Sequence, residues 1–162
     1  MVTLRPIQLQ DREAMLDILT DDTVKQTYML PDFADWRDSL PLFRRLAELS
    51  RDESRYVRGI CLEERLIGFL NDVEIQDGSI ELGYVIHPDF HNRGYMTQAL
   101  RAAIKELFAR NYQRVICGAF EANIASQRVM EKAGMKKIEF TEIIEYRGVS
   151  HNCVYYEIRK EN

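Results

Sequence analysis

The sequence predicts a mixed α/β domain in which hairpins outnumber crossovers. Three observations carry that class: short apolar runs bounded by turn residues, one long segment whose apolar residues recur at helical period, and a change of period at nearly every turn signal. With 162 residues the chain can bury a full core without disulfides or a structural metal, so residues 1–162 are expected to form one domain with no linker. The formal net charge of -4 argues against a nucleic-acid footprint. Cys61, Cys117 and Cys153 sit singly in apolar runs, with no CxxC pair, and read as buried thiols of a reducing compartment. No stretch approaches the roughly 18 apolar residues of a membrane span, and the first residues carry no apolar leader, so a cytoplasmic protein without a membrane partner is expected.

The elements follow in order. "TLRPIQ" is a short strand, and Asp11 then stands as the cap of a helix carrying Met15, Ile18 and Leu19. From Asp21 to Asp38 the pattern is irregular, a candidate binding loop with Tyr28, Phe33 and Trp36; Trp36, which precedes an apolar helical face, is expected in the core. A second helix starts near Ser39 with Pro41 in its first turn. "RYVRGICL" turns at Glu63-Glu64 into "RLIGFLNDVEI", which turns at Asp77-Gly78 into "SIELGYVI", an antiparallel meander. Met96, Ala99, Leu100, Ala103, Ile104, Leu107 and Phe108 then form one broad apolar helical face. "RVICGAF" is a mostly buried strand, and "NIASQRVMEKAG" a short helix capped by Asn123 and ended by Gly134. "MKKIEFTEIIEY" and "HNCVYYEIRK", joined at Arg147-Gly148, close the chain as a hairpin.

The stretch "HPDFHNRGYMTQAL" combines a glycine loop with the start of the most regular helix. It contains neither GxxxxGK[ST] nor GxGxxG, which excludes the two best-known nucleotide loops. What remains is a row of backbone donors from Arg93 to Thr97 at a helix start, an arrangement that suits a pyrophosphate. Gly94 permits either positive φ or the close approach of a ligand, and a plain left-handed turn would explain it equally well. Pro88 presses His87 toward an extended conformation. His87 and His91 are spaced four apart across a loop and lack a third ligand, so no metal site is expected.

"IELGYVIHPDFHNRGYMTQAL" followed by "ENIASQRVMEKAGM" resembles the GNAT N-acetyltransferase superfamily, and within it the RimJ/RimL-like ribosomal-protein alanine N-acetyltransferase type. The resemblance covers nearly the whole chain. It implies the GNAT fold, a central mixed, mostly antiparallel sheet of about seven strands flanked by four helices, with acetyl-CoA entering between "IELGYVI" and "RVICGAF". The superfamily's pyrophosphate motif is Gln or Arg, two residues, Gly, one residue, then Gly or Ala; here those positions are His91, Gly94 and Met96. Two of the three depart from the general pattern, while "RGYMTQAL" resembles the form common in the RimJ/RimL-like branch. By resemblance, His91, Asn92, Arg93, Gly94, Tyr95, Met96 and Thr97 hold the pyrophosphate of acetyl-CoA, and backbone groups of Val85 and His87 pair with the pantetheine arm like an added strand. Asn123 is a helix cap, a pantetheine contact, or both.

Acetyl transfer to an amine needs a proton acceptor, a polarised carbonyl and a protonated leaving thiol. Glu81 stands where the superfamily often places the carboxylate that deprotonates the amine, and raised by apolar neighbours it would work near neutrality. The alternative for Glu81 is a solvent-facing strand residue. Val85 N–H is the donor for the carbonyl by resemblance. The superfamily's usual thiol-protonating Tyr is replaced by Met130, which leaves Ser126 or a water for that task, or no dedicated acid; Ser126 also reads as an ordinary first-turn residue. Tyr28, Phe33 and Tyr146 are candidate acceptor contacts. The acceptor is a protein N-terminus or a small molecule, a homodimer is suggested by relatives that pair, and a catalytically inactive acetyl-CoA-binding regulatory module is the alternative function.

Overall fold

A computed structural model describes residues 1–161. The strands are β1 (Val2–Arg5), β2 (Val57–Leu62), β3 (Arg65–Gln76), β4 (Ser79–Ile86), β5 (Arg114–Phe120), β6 (Lys136–Tyr146) and β7 (Val149–Arg159). They join one seven-stranded sheet in the order β1-β2-β3-β4-β5-β7-β6. The helices are α1 (Arg12–Leu19), α2 (Val24–Thr27), α3 (Leu40–Leu49), α4 (Tyr95–Ala109) and α5 (Ile124–Lys132). The strand number meets the expectation; the fifth helix is the four-residue α2, a single turn inside the segment whose pattern reads as irregular. β4 and β5 pair in parallel because the helical connection α4 carries the chain back, whereas β1–β2, β2–β3, β5–β7 and β6–β7 pair antiparallel. Among the described residues, no helix is long and apolar enough to cross a membrane.

The described residues divide into two compact units: residues 1–72 with 84–99, and residues 73–83 with 100–161. In the first unit, α1 and α3 bury Met15, Leu19, Phe43 and Leu46 against Ile7 and Phe69. Trp36 is not part of that core. It is 56% exposed, because a tight 3-10 turn over Trp36–Ser39 presents it outward and Arg37, held by Asp35 at 3.0 Å, lies over its ring at 5.8 Å. In the second unit, Phe120, Cys153 and Tyr155 form a cluster with Ile116, Ile138, Ile144 and Tyr146 packed against it. The strong helical period proves real: Met96, Ala99, Leu100, Ala103, Ile104 and Leu107 of α4 are all buried.

Asp11 does stand at the start of α1, but its carboxylate caps nothing there. It accepts from both Arg5 guanidinium nitrogens, at 2.7 and 2.9 Å, and from the Gln8 amide at 2.8 Å. Burial opposes its charge, yet the Arg5 and Gln8 hydrogen bonds outweigh burial and hold the carboxyl below its ordinary range. A carboxyl depressed in the folded state contributes stability above its unfolded value, and that contribution fades as pH falls through the folded value. Asp11→Asn is therefore expected to cost about 1–3 kcal/mol at neutral pH, with the gap to wild type narrowing in acid; urea unfolding at both pH values checks it.

Candidate active site

The first unit builds the loop and helix start. Between β4 and α4, Asn92 at φ 63° and Gly94 at φ 79° flank Arg93, which has negative φ. This alternation opens the chain into the shallow concavity that backbone amides form around anions. The Gly94 carbonyl accepts from Gln98 N–H at 3.1 Å, so the amides of Tyr95, Met96 and Thr97 are the first of α4 and have no acceptor within the helix. Gln98 in turn accepts from Val2 N–H at 3.1 Å, tying the first turn to β1. A Cβ built on Gly94 would meet nothing within 4 Å, so the space beside Gly94 is open. Phe90 carries the charge nearby: the Arg65 and Arg93 guanidinium carbons lie 5.0 and 5.9 Å from its ring centre.

The end of β4 in the same unit is irregular. Val85 O approaches β3 so closely that a Cβ on Gly68 would sit 2.3 Å from it, which makes glycine obligatory there. His87 N–H donates to Ile67 O at 2.8 Å, and His87 O accepts from Phe90 N–H at 2.9 Å. His91 Nε2 bonds Ile86 O at 3.0 Å and pins the loop back onto the strand.

The second unit carries the titratable groups. β4 and β5 pair from Ser79–Arg114 to Leu82–Cys117, and both strands run on beyond that register. Ile80 and Leu82 are buried on one face, which turns Glu81 to the other, half-exposed. Among the described residues the Glu81 side chain has no hydrogen-bond or ion-pair partner. Burial, reinforced by the negative charges of Glu74 and Glu142, pushes its carboxyl up to about 7. Asn123 Oδ1 accepts from Ser126 N–H at 3.2 Å and caps α5, while its backbone N–H and O are spent on Phe120 O and Gln127 N–H at 2.8 and 3.3 Å. Met130 is fully buried, an apolar side chain within the helix α5.

A family model described as an acetyltransferase (GNAT) domain matches residues 1–136. The chain belongs to the GNAT acetyltransferase family. It is 26% identical over 146 residues to "Probable N-acetyltransferase YjcK" of Bacillus subtilis (strain 168), covering 84% of this chain and 81% of that protein. In fold it is similar to RimL, a ribosomal L7/L12 alpha-N-protein acetyltransferase solved with coenzyme A, at TM-score 0.86 and 17% identity over 98% of this chain and 93% of that one. It is also similar to spermidine N-acetyltransferase from Vibrio cholerae, solved with CoA and spermine, at TM-score 0.81 and 16% identity over 98% and 95%.

Within this GNAT domain, the residues singled out in the sequence fall into groups. His91 to Thr97 share one loop and helix start, and Asn123 and Ser126 share one cap. The buried side chain of Met96 turns away from the loop, so its departure from the motif leaves its amide in the row. The His87 amide donates to Ile67 O and its carbonyl accepts from Phe90 N–H within the fold. Tyr28 donates its hydroxyl to Asn71 at 2.8 Å and packs edge-on against Phe69, 5.6 Å between centres, at the margin of the first core. Phe33 is half-buried. Tyr146 packs near Phe120 and His151, with centres 6.2 and 6.3 Å away. The sequence reading missed Glu142 and Tyr155, which share the face of Glu81. Strand alternation marks both, but only the β6–β7 register assigns their face.

Proposed function

We propose that this GNAT domain transfers the acetyl group of acetyl-CoA to a primary amine, a protein N-terminal α-amine or a small amine, with Glu81 as the base. The observation that carries this reading is the half-buried, unpaired Glu81 carboxyl raised to about 7. The open amide row of Tyr95, Met96 and Thr97, with Arg93 and the space in front of Gly94, fits a pyrophosphate. The Asn123 side-chain amino group is what that residue retains for the pantetheine arm once its oxygen has capped α5. Val85 N–H is assigned to the acetyl carbonyl.

Bound acetyl-CoA supplies the activated thioester. An alkylamine arrives as an ammonium near neutrality, and Glu81 takes one proton from it. The freed lone pair forms the N–C bond, the C–S bond breaks, and the second nitrogen proton leaves so that sulfur departs as a thiol. Ser126, at the first turn of α5, is the candidate to pass that proton. Glu81 then returns its own proton to water.

The test is calorimetric titration with acetyl-CoA, followed by thiol release against N-terminal peptides, spermidine and aminoglycosides. Binding with turnover on one amine class is the expected result. Binding without turnover on any of them would favour the inactive acetyl-CoA-binding module, and no binding would overturn the donor assignment.

A further inference from the structure

The face of the second unit that carries Glu81 holds an arrangement that the transfer chemistry above does not use. Tyr155 is buried, and its ring lies so close to β5 that a Cβ on Gly118 would sit 2.5 Å from ring carbon Cε1. Glycine is what lets the ring down onto the strand. From that seat the phenol donates to Glu142 Oε1 at 2.7 Å. β6 delivers Glu142 there through a register shift against β7 between Lys137 and Thr141, after which Glu142 pairs with Cys153. Paired residues share a face, so Glu142, Cys153 and Tyr155 stand on one side of the sheet. Glu81 pairs with Ile116, and Ile116 with Glu157, two residues from Tyr155, which puts Glu81 on that side as well.

An exposed carboxylate ordinarily samples many rotamers, and water averages its field away. One pinned by a buried phenol acts from a fixed place. We propose that Tyr155 and Glu142 are a positioning pair for Glu81: Tyr155, seated on Gly118, holds the Glu142 carboxylate as a fixed negative charge on the Glu81 face, where it makes Glu81 a stronger base toward the acceptor's proton. The inference rests on Glu81 being the base and adds the groups that tune it.

The groups acting on Glu81 from neighbouring strands are Glu74 of β3 and Glu142 of β6, and Glu81 in turn raises Cys117 of β5 and Cys153 and Tyr155 of β7. Further along the same face Glu157 pairs with Arg114 at 2.7 Å and with Arg159 at 3.0 Å, a group that leaves one net positive charge. Burial first, then the hydrogen bond to Glu142, pushes the Tyr155 phenol up, so it stays a donor across the working range. Glu81 answers to these two carboxylates; Glu74 accepts from its exposed neighbour Gln76, whereas Glu142 accepts from the buried Tyr155 phenol.

The experiment follows the Glu81 carboxyl by carbon-13 NMR in the protein alone, with Glu81→Gln assigning the signal, in wild type, Glu142→Gln and Tyr155→Phe. The pH dependence of kcat/KM is measured beside it with the best amine of the panel. Removing the negative neighbour is expected to lower the Glu81 midpoint by on the order of half a pH unit, with the acid limb of kcat/KM moving the same way. Tyr155→Phe keeps the ring on Gly118, loses only the hydroxyl, and is expected to shift both in the same direction. Both variants preserve packing, since Glu142 is exposed and phenylalanine retains the ring. An unmoved midpoint in folded Glu142→Gln, with wild type active, overturns the pair alone. A wild type that releases no thiol with any amine removes the reading beneath it.

Discussion

Glu81→Gln is expected to lower kcat/KM by roughly 10²- to 10⁴-fold while leaving acetyl-CoA affinity unchanged, as befits loss of a proton acceptor rather than a binding contact. Glutamine keeps the shape of the side chain and lacks only the basic oxygen. In wild type, Glu81 must be ionised to take a proton, so with its carboxyl at about 7 activity should fall as pH drops through neutrality. The sign for stability is opposite. A carboxyl raised above its unfolded value stabilises most where both states are protonated and loses that contribution as pH rises through the folded value. Above neutral pH the folded protein carries a half-buried charge without a partner, and Glu81→Gln should then be at least as stable as wild type. Lost turnover with retained or raised resistance to urea would mark a residue kept for chemistry; full activity in the variant would return Glu81 to the surface-residue reading.

The parts of this domain legible in its sequence are those set by local rules. The α4 period is legible because burying one face requires apolar residues at three- and four-residue steps, and the turns at Asp77-Gly78 and Arg147-Gly148 because Gly78 and Gly148, at φ 82° and 76°, suit the left-handed region. Gly94 and Asn123 were visible for the same reason, as residues suited to loop and cap. Long-range register was not. That Glu142 meets Tyr155 depends on a bulge in β6, and a one-residue slip would send its side chain to the opposite face. The commitment of the His87 backbone to Ile67 and Phe90 depends on the irregular end of β4, which no period in "GYVIHPDF" announces. Trp36 went to the surface because a four-residue 3-10 turn, capped by Asp35 and Arg37, overrode its hydrophobicity.

Gly94→Ala and Gly148→Ala are expected to destabilise the fold about equally and to differ sharply in acetyl-CoA affinity. Both glycines lie in the left-handed region, at φ 79° and 76°, and neither has an atom within 4 Å of a built Cβ. Each substitution thus carries the same kind of backbone strain, on the order of 1–2 kcal/mol, and no clash. Only the methyl at Gly94 adds bulk beside the start of α4. An anion displaced there loses charge-assisted hydrogen bonds worth roughly 1.5–3 kcal/mol, which corresponds to about 10- to 100-fold weaker binding. Gly148, in the turn between β6 and β7, reports what strain alone does. Calorimetric titration of the two variants beside wild type separates the effects: weakened binding in Gly94→Ala alone places the pyrophosphate at this helix start, whereas equal affinity in all three would leave Gly94 a turn residue and send the donor's anchor elsewhere.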